Sequence, residues 1–246
     1  MAGHSKWANI KHRKGSQDAR RGKIFTKVIR EITVAARICG EMASNPRLRA
    51  AMDKGLSHNM SRDTLERAIK RGTGELDGQN FEEVRYEGYG PSGVALIVEC
   101  LTDNRNRTVG EVRHAFAKAG GNLGTEGSVG YLFSHVGILT YPSENNEERL
   151  LEAALEAGAS DVAKNSDGNF EVITEFADYV HVKEKMQAQG LTPAQAEVLM
   201  KPAIHVVLDR DNAEQVVKLV DMLEELDDVQ NVYSNAEIPD DVLASL

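Results

Sequence analysis

The chain has 246 residues, 41% hydrophobic and 27% charged, with a formal net charge of −9, an ordinary globular composition with room for two or three modest domains. No stretch approaches the ~18 apolar residues a membrane span needs, and the N-terminus lacks the apolar core of a signal peptide. Cys39 and Cys100 are the only cysteines and form no C-x-x-C pair, which points away from a disulfide framework or a zinc site and toward reduced, buried thiols.

The charge is unevenly distributed. Through Glu75 there are seventeen basic and seven acidic residues, leaving twelve basic and thirty-one acidic beyond it. Such bipolarity suggests a polyanionic partner for the basic part, nucleic acid or an anionic membrane; the bland alternative is a solvated helical face. Residues 1–22 contain only Trp7 and Ile10 as bulky apolar groups, too few for an amphipathic targeting helix, so the sequence reads as a mature, cytoplasmic protein. With so little to bury, this tail is expected to be mobile. Trp7 then either docks back as an anchor or stacks on an unpaired base.

From Lys23 to Cys39 the apolar residues Ile24, Val28, Ile29, Ile32 and Ala36 fall on one side of a helix, and Lys23, Lys27, Arg30 and Arg37 on the other. In "NPRLRAAMDKGL", Asn45 is placed to cap a second helix with Pro46 in its first turn. In "MSRDTLERAIKRG", Ser61 can cap a third, Met60 and Leu65 stand at staple spacing, and Gly72 is the expected left-handed stop. Together these make a basic all-helical domain, residues 1–80.

Thereafter the pattern turns to strands. "VALIVECL" reads as a buried strand, "VGEVRHAFAKAG" as a helix and "GSVGYLF" as a further strand. "VGILTY", "NEERLLEAALEAG", "SDVAKN", "NFEVITE", a helix near 177–189 and "AEVLMKP" give a complete β-α-β-β-α-β run. "AIHVVL", "NAEQVVKLVDMLEEL" and "DVQNVYSN" then supply β-α-β. The economical reading is α+β: the helical domain followed by two ferredoxin-like α/β domains, one (135–202) inserted in the other (81–134 with 203–246). A single larger mixed sheet is the alternative.

Enzyme signatures are missing. "GYGPSG" and "GGNLGTEG" carry neither a phosphate-cradling G-K-[ST] nor dinucleotide spacing, there is no G-x-S-x-G or H-E-x-x-H, and Glu111 with His114 is a single E-x-x-H where a di-iron site needs two. The acidic pairs Glu224–Glu225 and Asp227–Asp228, at the end of an amphipathic helix, read as a solvated face rather than a cation site. No catalytic residue, metal site, cofactor or small-molecule substrate is expected. One further cluster stands out. Arg105 and Arg107 precede a helix that carries Arg113, and they either bind phosphate with the helix amides or pair with internal carboxylates.

The segments "MAGHSKWANIKHRK", "RGKIFTKVIREI", "NPRLRAAMDK", "RDTLERAI", "YEGYGPSGVALIVECLTDNRNRT" and "GGNLG" with "GSVGYLF" resemble, in order and over essentially the whole chain, the YebC family, which includes the mitochondrial translational activator of cytochrome oxidase. The resemblance implies a helical N-terminal domain, two α/β domains and no catalysis. It also implies regulation of gene expression through nucleic acid, either as a DNA-binding transcriptional regulator or as a ribosome-associated translation factor contacting ribosomal or transfer RNA. It assigns no individual contacts. Charge placement nominates Lys6, Trp7, Lys11, Arg13, Lys14, Arg20, Arg21, Lys23, Lys27 and Arg30 of the N-terminus, with Arg105, Arg107 and Arg113. The helices show no clear helix-turn-helix pairing, which leans against sequence-specific DNA reading by that route.

Overall fold

The computed structural model describes residues 17–239 except 79 and 166, together with 242–243, and for 17–21 the backbone alone. Three helices come first: α1 (Gln17–Ile38), α2 (Pro46–Ser57) and α3 (Arg62–Thr73). Their apolar stripes meet in one core, with Val28, Ile32 and Ala35 of α1 against Leu48, Ala51 and Met52 of α2 and Leu65 and Ala68 of α3. Asn45 caps α2 as its sequence position predicts, accepting from the Leu48 amide at 3.0 Å. Its amide nitrogen also donates to the carbonyls of Ala35 at 2.8 Å and Cys39 at 2.7 Å. One buried side chain therefore starts α2 and satisfies the loose carbonyls ending α1.

Ser61 caps α3, accepting from the Thr64 amide at 3.3 Å, with Met60 and Leu65 both buried beside it. The stop of α3 differs from expectation. Gly74, at φ 84°, is the left-handed cap, while Gly72 lies inside the helix where α1 crosses it. A Cβ on Gly72 would stand 2.4 Å from the Thr33 carbonyl oxygen and 2.6 Å from the Ala36 Cβ, so close approach is what requires glycine there.

Two four-stranded antiparallel sheets follow. The first has the order β3-β1-β2-β9 and is built from β1 (Glu82–Tyr89), β2 (Ala95–Thr102), β3 (Asn122–Leu123) and β9 (Val229–Ser234). Between them run α4 (Arg105–Lys118) and α7 (Arg210–Glu225), which cover one face of the sheet through Val112, Phe116, Leu219 and Leu223 against Leu96, Val98 and Val232. The second sheet lies wholly within 133–202, in the order β5-β6-β4-β7: β4 (Phe133–Tyr141), α5 (Glu147–Ala157), β5 (Asp161–Lys164), β6 (Phe170–Glu175), α6 (Tyr179–Ala188) and β7 (Gln195–Pro202). Leu150 and Ala154 of α5 and Val182 and Met186 of α6 pack on its Leu139, Tyr141 and Val172. This is the α+β class expected from the sequence, helices first and antiparallel sheets after; the second sheet has the β-α-β-β-α-β order, whereas the first runs β1-β2-α4-β3 and resumes with α7 and β9.

Two segments depart from the sequence expectation. "GSVGYLF" is a turn and a short 3-10 segment, Gly130–Leu132, before β4 begins at Phe133. The strand that joins β2 at the centre of the first sheet is instead β1, whose buried residues include Glu87 and Gly88 rather than an apolar alternation. The Glu87 carboxylate accepts the amides of Val129 and Gly130 at 2.8 and 2.7 Å, so the turn is pinned to β1 by a buried anion. "AIHVVL" contributes only β8 (Val206–Val207), which pairs in parallel with β10 (Ala236–Glu237) outside the main sheet.

The second face of the first sheet joins everything. At one end Leu101 packs with Val34 of α1 and Phe81. At the other, Ala95 and Ile97 pack with Phe133 and Met200 of the second sheet.

Candidate nucleic-acid interface

Lys23, Lys27 and Arg30, on the cationic side of α1, reach the end of α7. Lys23 Nζ donates to the Glu225 carbonyl at 3.1 Å and Lys27 Nζ to the Glu224 carbonyl at 3.5 Å. The Arg30 guanidinium donates to the Leu101 carbonyl at 3.2 Å, to the Asp227 carbonyl and to Asp228 Oδ1 at 2.7 Å. The acceptors are the end of α7, where the last carbonyls have no partner within the helix and the macrodipole is negative. The acidic run 224–228, expected to be solvated, is thus the seat of the basic stripe. Three sequence features that looked unrelated, the stripe, the acidic run and the arginine cluster, meet at one carboxylate.

That carboxylate is Asp228, 2% exposed. Its Oδ2 accepts from Thr102 Oγ1 at 3.0 Å, Thr108 Oγ1 at 2.7 Å and Arg107 at 2.7 Å. Burial pushes its pKa up, but the bonds from Thr108, Arg107 and Thr102 and the charge of Arg30 outweigh it, leaving the group below the ordinary carboxylate value. Arg107 also holds Asp103 at 2.7 Å. Of the arginine cluster, then, Arg107 is paired internally, Arg105 stands 4.0 Å from Glu82, and Arg113 is exposed two turns along α4. The structure does not bring the three together.

Most other cations of the helical unit are also occupied. Arg47 pairs with Glu83, Lys54 with Glu31 and Arg67 with Asp63. Arg49 donates to the carbonyls of Met42 and Ala43, and Arg37 to that of Phe81. Arg62, Lys70 and Arg71 of α3 are exposed and make no ion pair or side-chain hydrogen bond among the described residues. Sequence reasoning did not single them out. Only the i, i+4 spacing of Asp63 and Arg67 signalled which cation of α3 is neutralised locally.

The connection into α3 is short. This helix follows α2 after four residues, 58–61, with Asn59 in the left-handed region at φ 58°. That is the connectivity of a helix-turn-helix pair, with Arg62, Lys70 and Arg71 on its second helix. Arg71 further lines a cleft of about 370 Å³ between α1, α3 and the segment leading to β1, where the Arg30 guanidinium lies 5.1 Å over the Phe81 ring. The nominated Lys6, Trp7, Lys11, Arg13 and Lys14 lie outside the described residues, as do the side chains of Arg20 and Arg21.

Among the described residues no helix is long and apolar enough to cross a membrane, and no cluster of three or more His, Cys, Asp or Glu is placed to hold a metal ion. The fold and this surface define an α+β protein in which a basic three-helix unit is seated on an acidic pair of sheets. The chain belongs to the TACO1/YebC family: residues 5–75 match the family's N-terminal domain and residues 81–236 its second and third domains. It is 62% identical over 246 residues to a "Probable transcriptional regulatory protein" of Hahella chejuensis, covering 100% of this chain and 99% of that one. It is 61% identical to proteins of the same description from Methylococcus capsulatus and Pseudomonas aeruginosa, each covered in full. Among solved structures, the crystal structure of a conserved hypothetical protein from Aquifex aeolicus matches with a TM-score of 0.82 at 48% identity, over 96% of this chain and 98% of that one.

Proposed function

We propose that the chain is a non-enzymatic, cytoplasmic regulator of gene expression that binds nucleic acid through its helical unit, with DNA and transcription as the first reading. The observation that carries it is the placement of Arg62, Lys70 and Arg71, which make no ion pair among the described residues, on a helix that follows α2 after a four-residue turn, at the positive end of a bipolar chain. The description shared by the relatives, a probable transcriptional regulatory protein, supports regulation. Phosphate attraction is sequence-independent and needs only such cations.

A second reading, an RNA-binding translation factor at the ribosome, is favoured by one feature. Asp63 and Glu66 share the leading turns of α3 with Arg62 and Arg67, so the positions with which a recognition helix meets base edges carry no net positive charge.

Joint replacement of Arg62, Lys70 and Arg71 by Ala should flatten the dependence of log affinity on log salt by about 0.7–0.9 for each phosphate that is no longer neutralised. An unchanged slope overturns the assignment of these residues. Crosslinking in cells followed by sequencing of attached nucleic acid separates the readings. Recovered DNA supports the first, recovered ribosomal or transfer RNA the second, and recovery of neither refutes both.

A further inference from the structure

Lys23, Lys27 and Arg30 lie on one side of α1 at spacings of four and three residues, yet their seats are unequal. Arg30 has three acceptors, is 13% exposed and meets a carboxylate that is 2% exposed. Lys23 is exposed and reaches a backbone carbonyl at 3.1 Å; Lys27, partly buried, reaches its carbonyl at 3.5 Å. The end of a helix presents about half an elementary negative charge, screened by salt. A phosphate presents a full one, forms charge-assisted bonds about twice as strong as neutral ones, and releases counterions when it is neutralised.

We propose that Lys23 and Lys27 form an exchangeable phosphate-binding surface, held by the end of α7 in the free protein and transferred to the phosphate backbone of bound nucleic acid, while Arg30 on Asp228 stays in place as the pivot. This rests on the nucleic-acid-binding reading above and adds a second binding surface beyond α3. The end of α7 is suited to the role of internal stand-in: Glu224, Glu225 and Asp227 put carboxylates around the carbonyls that hold the lysines. The seat is therefore negative enough to occupy the lysines, while its carbonyl bonds at 3.1 and 3.5 Å are weaker than the charge-assisted bonds a phosphate offers. Each lysine exchanges its bond to a neutral carbonyl for one to an anion, with no covalent step.

The seat also explains why a stripe that looks free in sequence is engaged in the fold, with Lys27 and Arg30 partly buried and Lys23 exposed. On binding, the end of α7 loses two donors, so its last amides should open more readily.

The test uses the full chain with two probes, a fluorescent single-stranded RNA 20-mer and a duplex DNA 20-mer, titrated across salt. Lys23→Ala/Lys27→Ala should keep the wild-type thermal transition but lose about 1.4–1.8 from the slope of log affinity against log salt on the preferred probe. On binding to wild type, acetylation of Lys23 and Lys27 should fall and hydrogen exchange at residues 222–227 should rise several-fold. Glu224→Gln/Glu225→Gln/Asp227→Asn should tighten binding several-fold. The charge-matched control Glu147→Gln/Glu148→Gln/Glu152→Gln, on α5, should do less. Wild-type binding with an unaltered slope in the lysine variant and unaltered exchange at 222–227 overturns the exchange and leaves nucleic-acid binding standing. Equal gains from both acid-neutralised variants overturn it too, since they reduce it to net charge. Absence of binding to either probe removes the reading beneath it.

Discussion

Arg30 and Asp228 are 2.7 Å apart across 198 residues of chain, and the helical unit is fixed to the first sheet at that point. Around the same carboxylate Thr102 from β2 and Thr108 and Arg107 from α4 complete its bonds. A buried pair of this kind does little for stability against an apolar replacement, but breaking it strands the partner. Asp228→Ala removes the buried carboxylate that two guanidiniums and two hydroxyls share, leaving Arg30 the Leu101 and Asp227 carbonyls and Arg107 the Asp103 carboxylate. It should cost about 3–5 kcal/mol in urea denaturation, with Asp228→Asn costing less because the threonines keep an oxygen to donate to. A loss under about 0.5 kcal/mol for Asp228→Ala, the scale of an ordinary surface change, would show that the pair does not hold the units together.

The same carboxylate sets a pH response. Its folded-state pKa lies below the ordinary 3.8, so the folded protein binds fewer protons there than the unfolded chain. Its contribution is complete above the unfolded value and is lost as pH falls below 3.8 through the depressed folded one. Glu87, lowered by the amides of Val129 and Gly130 despite its burial, behaves likewise below its ordinary 4.5. Stability followed from pH 6 to pH 2 should therefore fall less steeply in Asp228→Asn than in wild type, from a lower starting level. Parallel curves would mean that other carboxylates carry the acid response.

Cys100 and Cys39 should differ in reactivity. Cys100 is 2% exposed and burial pushes its thiol up to about 12, so almost no thiolate exists at neutral pH. Cys39 is partly exposed. Iodoacetamide at pH 8 should modify one thiol per native chain, at Cys39, and two after unfolding in urea. Comparable native rates at both positions would contradict the packing of β2 against α4 and α7.

The helices were legible because their signals are local: Asn45 and Ser61 cap where the sequence places them, and the apolar stripe of α1 is the one buried. The missed strand β1 has a different cause. Its buried positions include Gly88 and Glu87, the latter held by amides of a turn forty residues on, and no periodicity reports a long-range donor. The candidate interface was less legible still. Sequence separates basic from acidic segments but cannot tell that Lys23, Lys27 and Arg30 find acceptors about 200 residues away, nor that Arg62, Lys70 and Arg71 find none among the described residues. Net charge is a property of composition, and free charge a property of the fold.

Two helical glycines should respond in opposite directions to the same substitution. Gly72 lies in α3 against α1, where an added Cβ meets a backbone oxygen at 2.4 Å and a Cβ at 2.6 Å. Neither atom belongs to a flexible side-chain end, so the helices must separate, and Gly72→Ala should destabilise by about 1–3 kcal/mol as overpacking does. Gly110 is exposed in the middle of α4, with nothing within 4 Å of an added Cβ. Helix propensity then decides alone, and Gly110→Ala should stabilise by about 0.5–1 kcal/mol, because alanine loses less backbone entropy on folding. Both are read in one thermal or urea series. A neutral Gly72→Ala would mean that α1 and α3 cross further apart than described. A Gly110→Ala variant that is stabilised yet binds nucleic acid several-fold more weakly would place a ligand against the outer face of α4, beside Arg113.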